Sequence, residues 1–599
     1  MTPAPIRLLR ILAFLLCLSS LARGQSTLYQ EVFDPKTRTS LRVEAMSDQL
    51  PPSGFIPVRA TATNGEKLPI TWNFDFISRD YYYGDTTNQM TSSFELSCQP
   101  GRTTTSEFMV PLVTCFHGAS HNATASLNVT IKARPPFGNG YGSLSSTGYD
   151  ESKPSILISE TLYTPNKGTL DTASWPRISH MSNFTFGAQF EPSRLSEDWR
   201  AYVGHDVMML TAADWNDVSP GGQAAIKKWV RLGGNLIVYS PQATDNIESL
   251  ALADDADGKT SLRQTWGLID VLPLEVGNKL DPAKTISFLT SSMRGQTNLQ
   301  EYVDDYSHSW QLKTEFGERS FNPTLLILIL VGFGILVGPI NLFVFAKSGQ
   351  RHKLFITTPI ISLATSLLLV VIILLQDGFG GKGQRLTLME VRPDINSAFI
   401  KQQQICRTGV LLSTSFPVRR NAFVTPVFLD ESRWSRVKRT NQGGAGRYQL
   451  SPLSSQEVEH SGDWFKSRSE YAHVIRSVQP TRGRIEQASP NGPPAITSSF
   501  DFPLETIYYR DRSGGYWKGS NLQSGKTLQL KMTSKQEYDK MLGQLVKRIG
   551  GRDGAQLWEL GQRQGHFLGL TEDAAQVETL ESISWKKDET IVTGPVITS

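Results

Sequence analysis

Two long uncharged apolar runs, set close together, constrain this chain more than any other feature. Leu325 to Ala346 (LLILILVGFGILVGPINLFVFA) carries no charge over about 22 residues, roughly 33 Å of helix, which matches a bilayer's hydrocarbon core. Leu354 to Leu375 (LFITTPIISLATSLLLVVIILL) repeats the pattern. A helix buried in a globular core seldom runs so far without a polar stripe, so both are expected to span. Pro339 and Pro359 are then kinks whose freed carbonyls a neighbouring helix satisfies. Between the runs, KSGQRHK places Lys347, Arg351 and Lys353 in a short loop. Positive charge in such a loop marks the cytoplasmic side. Residues 321–376 are therefore expected to form two transmembrane helices with a short cytoplasmic loop, leaving both flanks outside.

The amino terminus agrees. Arg7 and Arg10 precede the apolar stretch Ile11–Leu18, and small residues Ala22 and Gly24 stand before Gln25. Residues 1–24 thus read as a secretory signal peptide. Leu15 and Leu16 argue against a lipid anchor at Cys17. The expected location is the cell (inner) membrane, with the lipid bilayer and other envelope or inner-membrane proteins as partners. The 60 Lys and Arg against 56 Asp and Glu leave +4 over 599 residues, too weak a field for nucleic acid. In an oxidising compartment Cys98 and Cys115 are candidates for a disulfide, with Cys406 left over and expected as a buried thiol rather than an intermolecular partner. C-x-x-C spacing is absent, so nothing favours redox or zinc chemistry, and no cofactor is expected.

Residues 25–134 alternate in short runs such as ITWNFDF and ASLNVTI between turn residues, which predicts a β-sandwich, immunoglobulin-like in outline. Trp72 and Tyr81 to Tyr83 read as edge or core packing ahead of a binding platform. His117 and His121 lack a third metal ligand. Asn122, Asn128 and Asn183 head sequons that matter only if the secreting cell glycosylates. Arg134 to Gly142 reads as a Pro/Gly linker. Beyond it, Ser155–Ser159 and His205–Thr211 are apolar strands. Ser219-Pro220 caps a helix that Gly233-Gly234 stops, and Asn235–Ser240 is a further strand. Strand, helix, strand predicts a parallel sheet.

HDVMMLTAADWNDVSPGGQAAIKKWVRLGGNLIVYSP resembles the class I glutamine amidotransferase-like domains of bacterial membrane proteins, over about residues 155–275. The resemblance implies a flavodoxin-like α/β domain, within 135–320 together with a juxtamembrane segment. Working amidotransferases use a cysteine nucleophile on a tight strand-to-helix turn, and this region contains none, so the resemblance implies the fold without the activity. Ser240 is no substitute: it lacks flanking glycines, and Pro241 supplies no N–H for an oxyanion hole. His205 and Asp206 belong at the opposite sheet edge. Trp310 and Phe321 read as interfacial anchors.

LVGPINLFVFAKSGQRHKLFITTPIISL resembles the hairpin of bacterial two-span membrane proteins with large outer domains, through Val337, Gly338, Pro339 and Asn341. Asn341 is expected to hydrogen-bond across to Thr357 or Thr358. Residues 377–599 predict a β-rich outer domain with one helix near the end, started by Ser534 and Glu537 as a capping box. The expectation is a non-catalytic, membrane-anchored binding or assembly module. The alternative is an extracytoplasmic hydrolase or glycan-processing enzyme with its site in the α/β domain, using carboxylates such as Asp245 or Asp254.

Overall fold

The computed structural model describes residues 26–82, 85–115, 124–134, 139–147, 153–173, 185–253, 258–292, 297–302, 310–317, 324–345, 348–427, 429, 446–488, 492–574 and 576–598. The signal peptide, Tyr83, His117, His121, Asn122, Asn183, Asp254, Phe321 and Lys347 lie outside them.

Eight strands open the chain: β1 (Ser26–Asp34), β2 (Thr39–Ala45), β3 (Gly54–Asn64), β4 (Ile70–Tyr82), β5 (Asp85–Cys98), β6 (Arg102–Leu112), β7 (Thr124–Arg134) and β8 (Asn139–Thr147). Trp72, Phe74 and Phe76 alternate into a shared core with Val58, Val110 and Ile131, the period-2 burial that a sandwich needs. Trp72 is thus core, in ring contact with Phe33 at 5.0 Å. One sheet runs β1-β2-β3-β6. The other extends past the expected boundary at 134: β8 takes in the last four residues of the presumed linker, 139–142, and pairs with β7. Three strands from far downstream, β17 (Phe416–Arg419), β19 (Gly446–Pro452) and β20 (Glu457–Gly462), complete it in the order β17-β20-β19-β5-β4-β7-β8.

Cys98 and Cys115, the disulfide candidates, are not bridged, and the sandwich explains why. Cys98 ends β5 beside Arg102, whereas Cys115 follows β6 and donates its backbone N–H to Pro52. Arg102 pairs with Asn64 at one end of β3, and Leu112 with Gly54 at the other. That separates the cysteines by most of a strand length, about 30 Å, against the roughly 7 Å that a bridge allows between Cα atoms. Both thiols are free and buried; Cys98 donates to the carbonyls of Ala62 and Arg102 at 3.4 and 3.2 Å.

The second body carries β9 (Ile156–Ser159), β10 (Ala188–Phe190), β11 (Val207–Thr211), β12 (Asn235–Ser240), β13 (Ser261–Gln264) and β14 (Gly267–Pro273), ordered β10-β9-β11-β12-β14-β13. All neighbours are parallel except β13. The helix Pro220–Arg231 joins β11 to β12, as its Ser219 cap and following proline predict. Gly233, at φ +115°, turns the chain out of it. Any side chain at Gly234 would place its Cβ 2.1 Å from the buried Trp229 ring, so only glycine lets helix and strand close up.

After the apolar pair the chain forms β15 (Gly381–Arg392), β16 (Ser397–Thr408), β17, β18 (Ala422–Pro426), β19, β20, β21 (Glu470–Pro480), β22 (Ile485–Gln487), β23 (Ala495–Ser498), β24 (Leu504–Arg510), β25 (Tyr516–Leu522), β26 (Thr527–Gln529), β27 (Lys531–Met532), β28 (His566–Thr571) and β29 (Ile583–Thr598). Most join a mixed sheet ordered β18-β21-β16-β15-β29-β28-β24-β25-β27. Two helices cover it, Lys535–Ile549 and Gly551–Gly561. Ser534 caps the first by accepting from the Glu537 N–H at 3.1 Å, but the Glu537 carboxylate binds Thr533 and Lys518 instead of closing a capping box. The Tyr538, Leu542, Leu545 and Ile549 stripe is buried on its own domain.

Thr324–Ile335 is α-helical and continues as a π-helix over Leu336–Phe345, whose wider turn accommodates Pro339. Leu354–Asp377 is one helix. The stretches Ile327–Phe345 and Arg351–Ile372 are long and apolar enough to cross a membrane, and away from their mutual contact large apolar side chains are uncovered: Phe343, Phe355 and Leu363 are all more than two-thirds exposed. Trp310 is a correction to the expected interfacial anchor. It is buried, donating Nε1 to Gln403 Oε1 at 2.9 Å.

Candidate functional site: an interdomain cleft and a buried ion cluster

Open parallel sheets place ligands beyond the carboxyl ends of their strands. Here the chain's own side chains occupy those ends. Ser159 Oγ donates to Asp214 Oδ2 at 2.7 Å, and Asp214 and Thr211 exchange the reciprocal bonds of a capping box. Ser240 donates to the Asp245 carboxylate and accepts from the Gln242 N–H at 3.1 Å. His205 and Asp206 sit at the opposite end, where Asn235 N–H donates to the Asp206 carbonyl. His205 Nδ1 lies 3.1 Å from Ser155 Oγ, and burial pulls its pKa down to about 3. Ser240 and His205 are therefore not brought together, and Asp245 serves Ser240.

Among the described residues, the most concentrated buried charge lies where the α/β body meets the last domain. Lys401, on β16, sets its Nζ 2.7 Å from Glu301 Oε1 and 2.5 Å from Asp553 Oδ1. All three side chains are at most 3% exposed. Arg476 Nη2, from β21, stands 3.4 Å from Glu301 Oε2 and donates to Asn298 Oδ1 at 3.1 Å; Asn298 N–H in turn donates to Asp206 at 2.7 Å. Burial works to raise the Glu301 carboxyl, yet Lys401, Arg476 and Arg552 outweigh it and hold the pKa down at about 2. Each charge is paired and hydrogen-bonded, the condition for burying it. The cluster ties residues 298–302, β16, β21 and the helix Gly551–Gly561 into one junction. Among the described residues, no three His, Cys, Asp or Glu side chains are grouped to hold a metal ion.

A cleft of about 1370 Å³ opens where the sandwich, the α/β body and the β17–β18 turn meet. Phe55 and Phe423 pack edge to face at 5.6 Å in its floor, and Arg200 chelates Asp198 through Nε and Nη2 beside them. His460 and Trp464 line its inner end and continue into a buried aromatic cluster with His473. Burial pulls His460 down to about 4; burial, with the neighbouring charge of His460, takes His473 to about 3.

In the apolar pair, Asn341 is fully buried against the second helix. Its Nδ2 donates to Thr358 Oγ1 at 2.9 Å, and Thr357 Oγ1 donates to its Oδ1 at 2.6 Å. Gly338 and Pro339 are exposed, as are Arg351 and Lys353 at the turn. Replacing Asn341 with Leu removes both cross-helix bonds and is expected to cost about 1 kcal/mol of helix association. Cysteine pairs placed on the two helices would then cross-link less efficiently, and unchanged cross-linking would refute the role.

No protein-family model matches the sequence, and no curated protein matches it. A protein from Archaeoglobus fulgidus is similar over 18% of this chain and 94% of its own, at 14% identity and a TM-score of 0.14. Spo0M, a sporulation control protein from Bacillus subtilis, is matched over 19% of this chain and 49% of its own, about half its length, at 13% identity and 0.13. A cycloisomaltooligosaccharide glucanotransferase from Paenibacillus sp. covers 73% of this chain and 69% of its own, at 10% identity and 0.18. Overlaps this poor carry no argument about fold or function.

Proposed function

We propose that this chain is a membrane-anchored envelope protein whose outer domains form a non-catalytic binding or assembly module. One observation carries the reading: β5, before the apolar helices, pairs with β19, after them. Strands that share hydrogen bonds lie on one side of a bilayer. A spanning pair must therefore enter and return, with Arg351 and Lys353 at the far turn. Counted along the chain, the five parallel strands of the α/β body run 2-1-3-4-5, the order expected of a flavodoxin-like sheet, which supports the amidotransferase-like reading. The strand ends where such a fold would act are filled by Asp214 and Asp245.

Single cysteines at exposed Ser97 and Ser513 are expected to react with a membrane-impermeant maleimide on intact cells, and one at Gly349 only after lysis. The described native thiols are buried and give little background. Opposite compartments for Ser97 and Ser513 would overturn the topology. Binding is tested by capture from detergent-solubilised membranes. A specific envelope partner held by the intact protein should be lost on reversing the exposed cleft charges with Arg419→Glu and Arg420→Glu. Unchanged capture, together with substrate turnover by the purified protein, would favour the enzyme instead.

A further inference from the structure

The β5 edge is only half used. β19 runs along it in parallel from Gly446, opposite Asn88, to Leu450, opposite Ser92. Past Leu450, β19 keeps its pairing with β20 to Pro452 and leaves β5, so among the described residues no strand pairs with Ser93–Ser97 on that side, although β4 pairs with that stretch on the other. Among the described residues β6 pairs with β3 alone, and its second edge carries no strand. The two free edges diverge from the turn at Gly101, with Phe94 stacked on Phe108 at 4.9 Å between them, and both line the cleft. An open edge presents unpaired N–H and C=O groups to any extended chain.

We infer that Ser93–Ser97 receives an extended segment of a partner polypeptide as an added strand, in line with β19, with apolar residues towards Phe94 and Phe108 alternating with Lys or Arg opposite Glu95. The inference rests on the binding-module reading and names its partner's chemistry. The edge already accepts a segment from a remote part of the chain, so the site continues an existing strand interface. Five residues of strand, about 17 Å, is a normal length for such an addition. Along β5, Phe94 and Leu96 turn towards the sandwich core, while Ser93, Glu95 and Ser97 turn outward. Glu95 is exposed, and among the described residues no cation neutralises it. Asp75, on the same outer face, accepts from the Ser93 hydroxyl at 2.7 Å. Arg419 and Arg420 belong to the β17–β18 turn, three strands away in the sheet order, so cationic residues are favoured on the β5 side.

The test uses the full chain in detergent and a fluorescent probe, acetyl-Lys-Val-Lys-Val-Lys-Val-Lys-amide, read by anisotropy. N-methylation of alternate amides, which removes ladder bonds and keeps charge, should weaken binding about tenfold or more. Glu95→Lys should weaken the basic probe about tenfold while Glu95→Gln falls between, because the site is electrostatic at that position. Glu95 is exposed, so both variants should melt as the wild type does. Equal binding of the N-methylated probe overturns the strand addition. Indifference to Glu95→Lys, or a stronger response to the acidic Glu-Val counterpart, overturns the partner chemistry. Concentration-dependent dimers that the probe fails to displace would give the edge to a second copy and also refute the inference. Loss of partner capture in the Arg419 and Arg420 variants, with no discrimination between probes, would retain the binding module and reject this slot.

Discussion

Lys401→Met is expected to be the most damaging single change in the molecule. It leaves the Glu301 and Asp553 carboxylates, 2.7 and 2.5 Å from the lost ammonium, buried without that partner. Breaking a buried ion cluster from one side costs about 3–5 kcal/mol, because the abandoned charge keeps its desolvation penalty. The loss should appear as a much lower melting temperature, with the junction between the α/β body and the last domain opening first. Adding Asp553→Asn to Lys401→Met should recover a large part of it, since Glu301 keeps Arg476 as its cation and Asp553 no longer buries a charge. A Lys401→Met protein that melts like the wild type would remove the cluster from any structural role.

The second large effect is acid lability. Burial lowers His205, His460 and His473 to about 3, 4 and 3, and His566 shifts the same way. In the unfolded chain these rings titrate near about 6.5. The unfolded state thus binds more protons once the pH drops below that value. Stability from the neutral rings is full above about pH 6.5 and falls as the pH descends towards the folded values, by about 1.4 kcal/mol per pH unit for each histidine. Glu301, held low when folded, adds to the loss below its ordinary carboxylate range. Buried Asp206 runs the other way, since burial raises it, and it offsets part of the loss near the bottom of that window. Melting temperatures between pH 7.5 and 5 should therefore fall steeply. His460→Phe, which keeps a ring stacked on Phe416, should flatten that slope. A flat profile for the wild type would show that these rings are not buried neutral.

How much of this was legible in the chain depended on the reach of each interaction. The helix Pro220–Arg231 and its flanking strands were readable because the Ser219 cap, Pro220 and Gly233 act within a few residues. The boundary at 134 misled: nothing in PPFGNGYG signals that β8 pairs back onto β7, and nothing near 446 signals β5 as its partner. Cys98 and Cys115 show the same limit, since alternation marks strands without saying which end of a sandwich each cysteine reaches. The ion cluster did leave one trace. Lys401-Gln402-Gln403-Gln404 is a polar run inside a strand, and all four side chains are buried. A run like that in a central strand requires partners from elsewhere, but their identity is not encoded nearby. Trp310 was misplaced for the same reason, its indole N–H being taken by Gln403.

By itself, the sequence determined the apolar pair, its basic turn and the local strand and helix segments, because hydrophobic length, capping and periodicity are properties of adjacent residues. Tertiary structure alone decided that the N-terminal sandwich borrows strands from beyond that pair, that a lysine and two carboxylates lock three distant segments together, and that β19 pairs with only part of β5. Those outcomes depend on which of many similar strands and charges meet, and that choice is made by the packing of the whole chain.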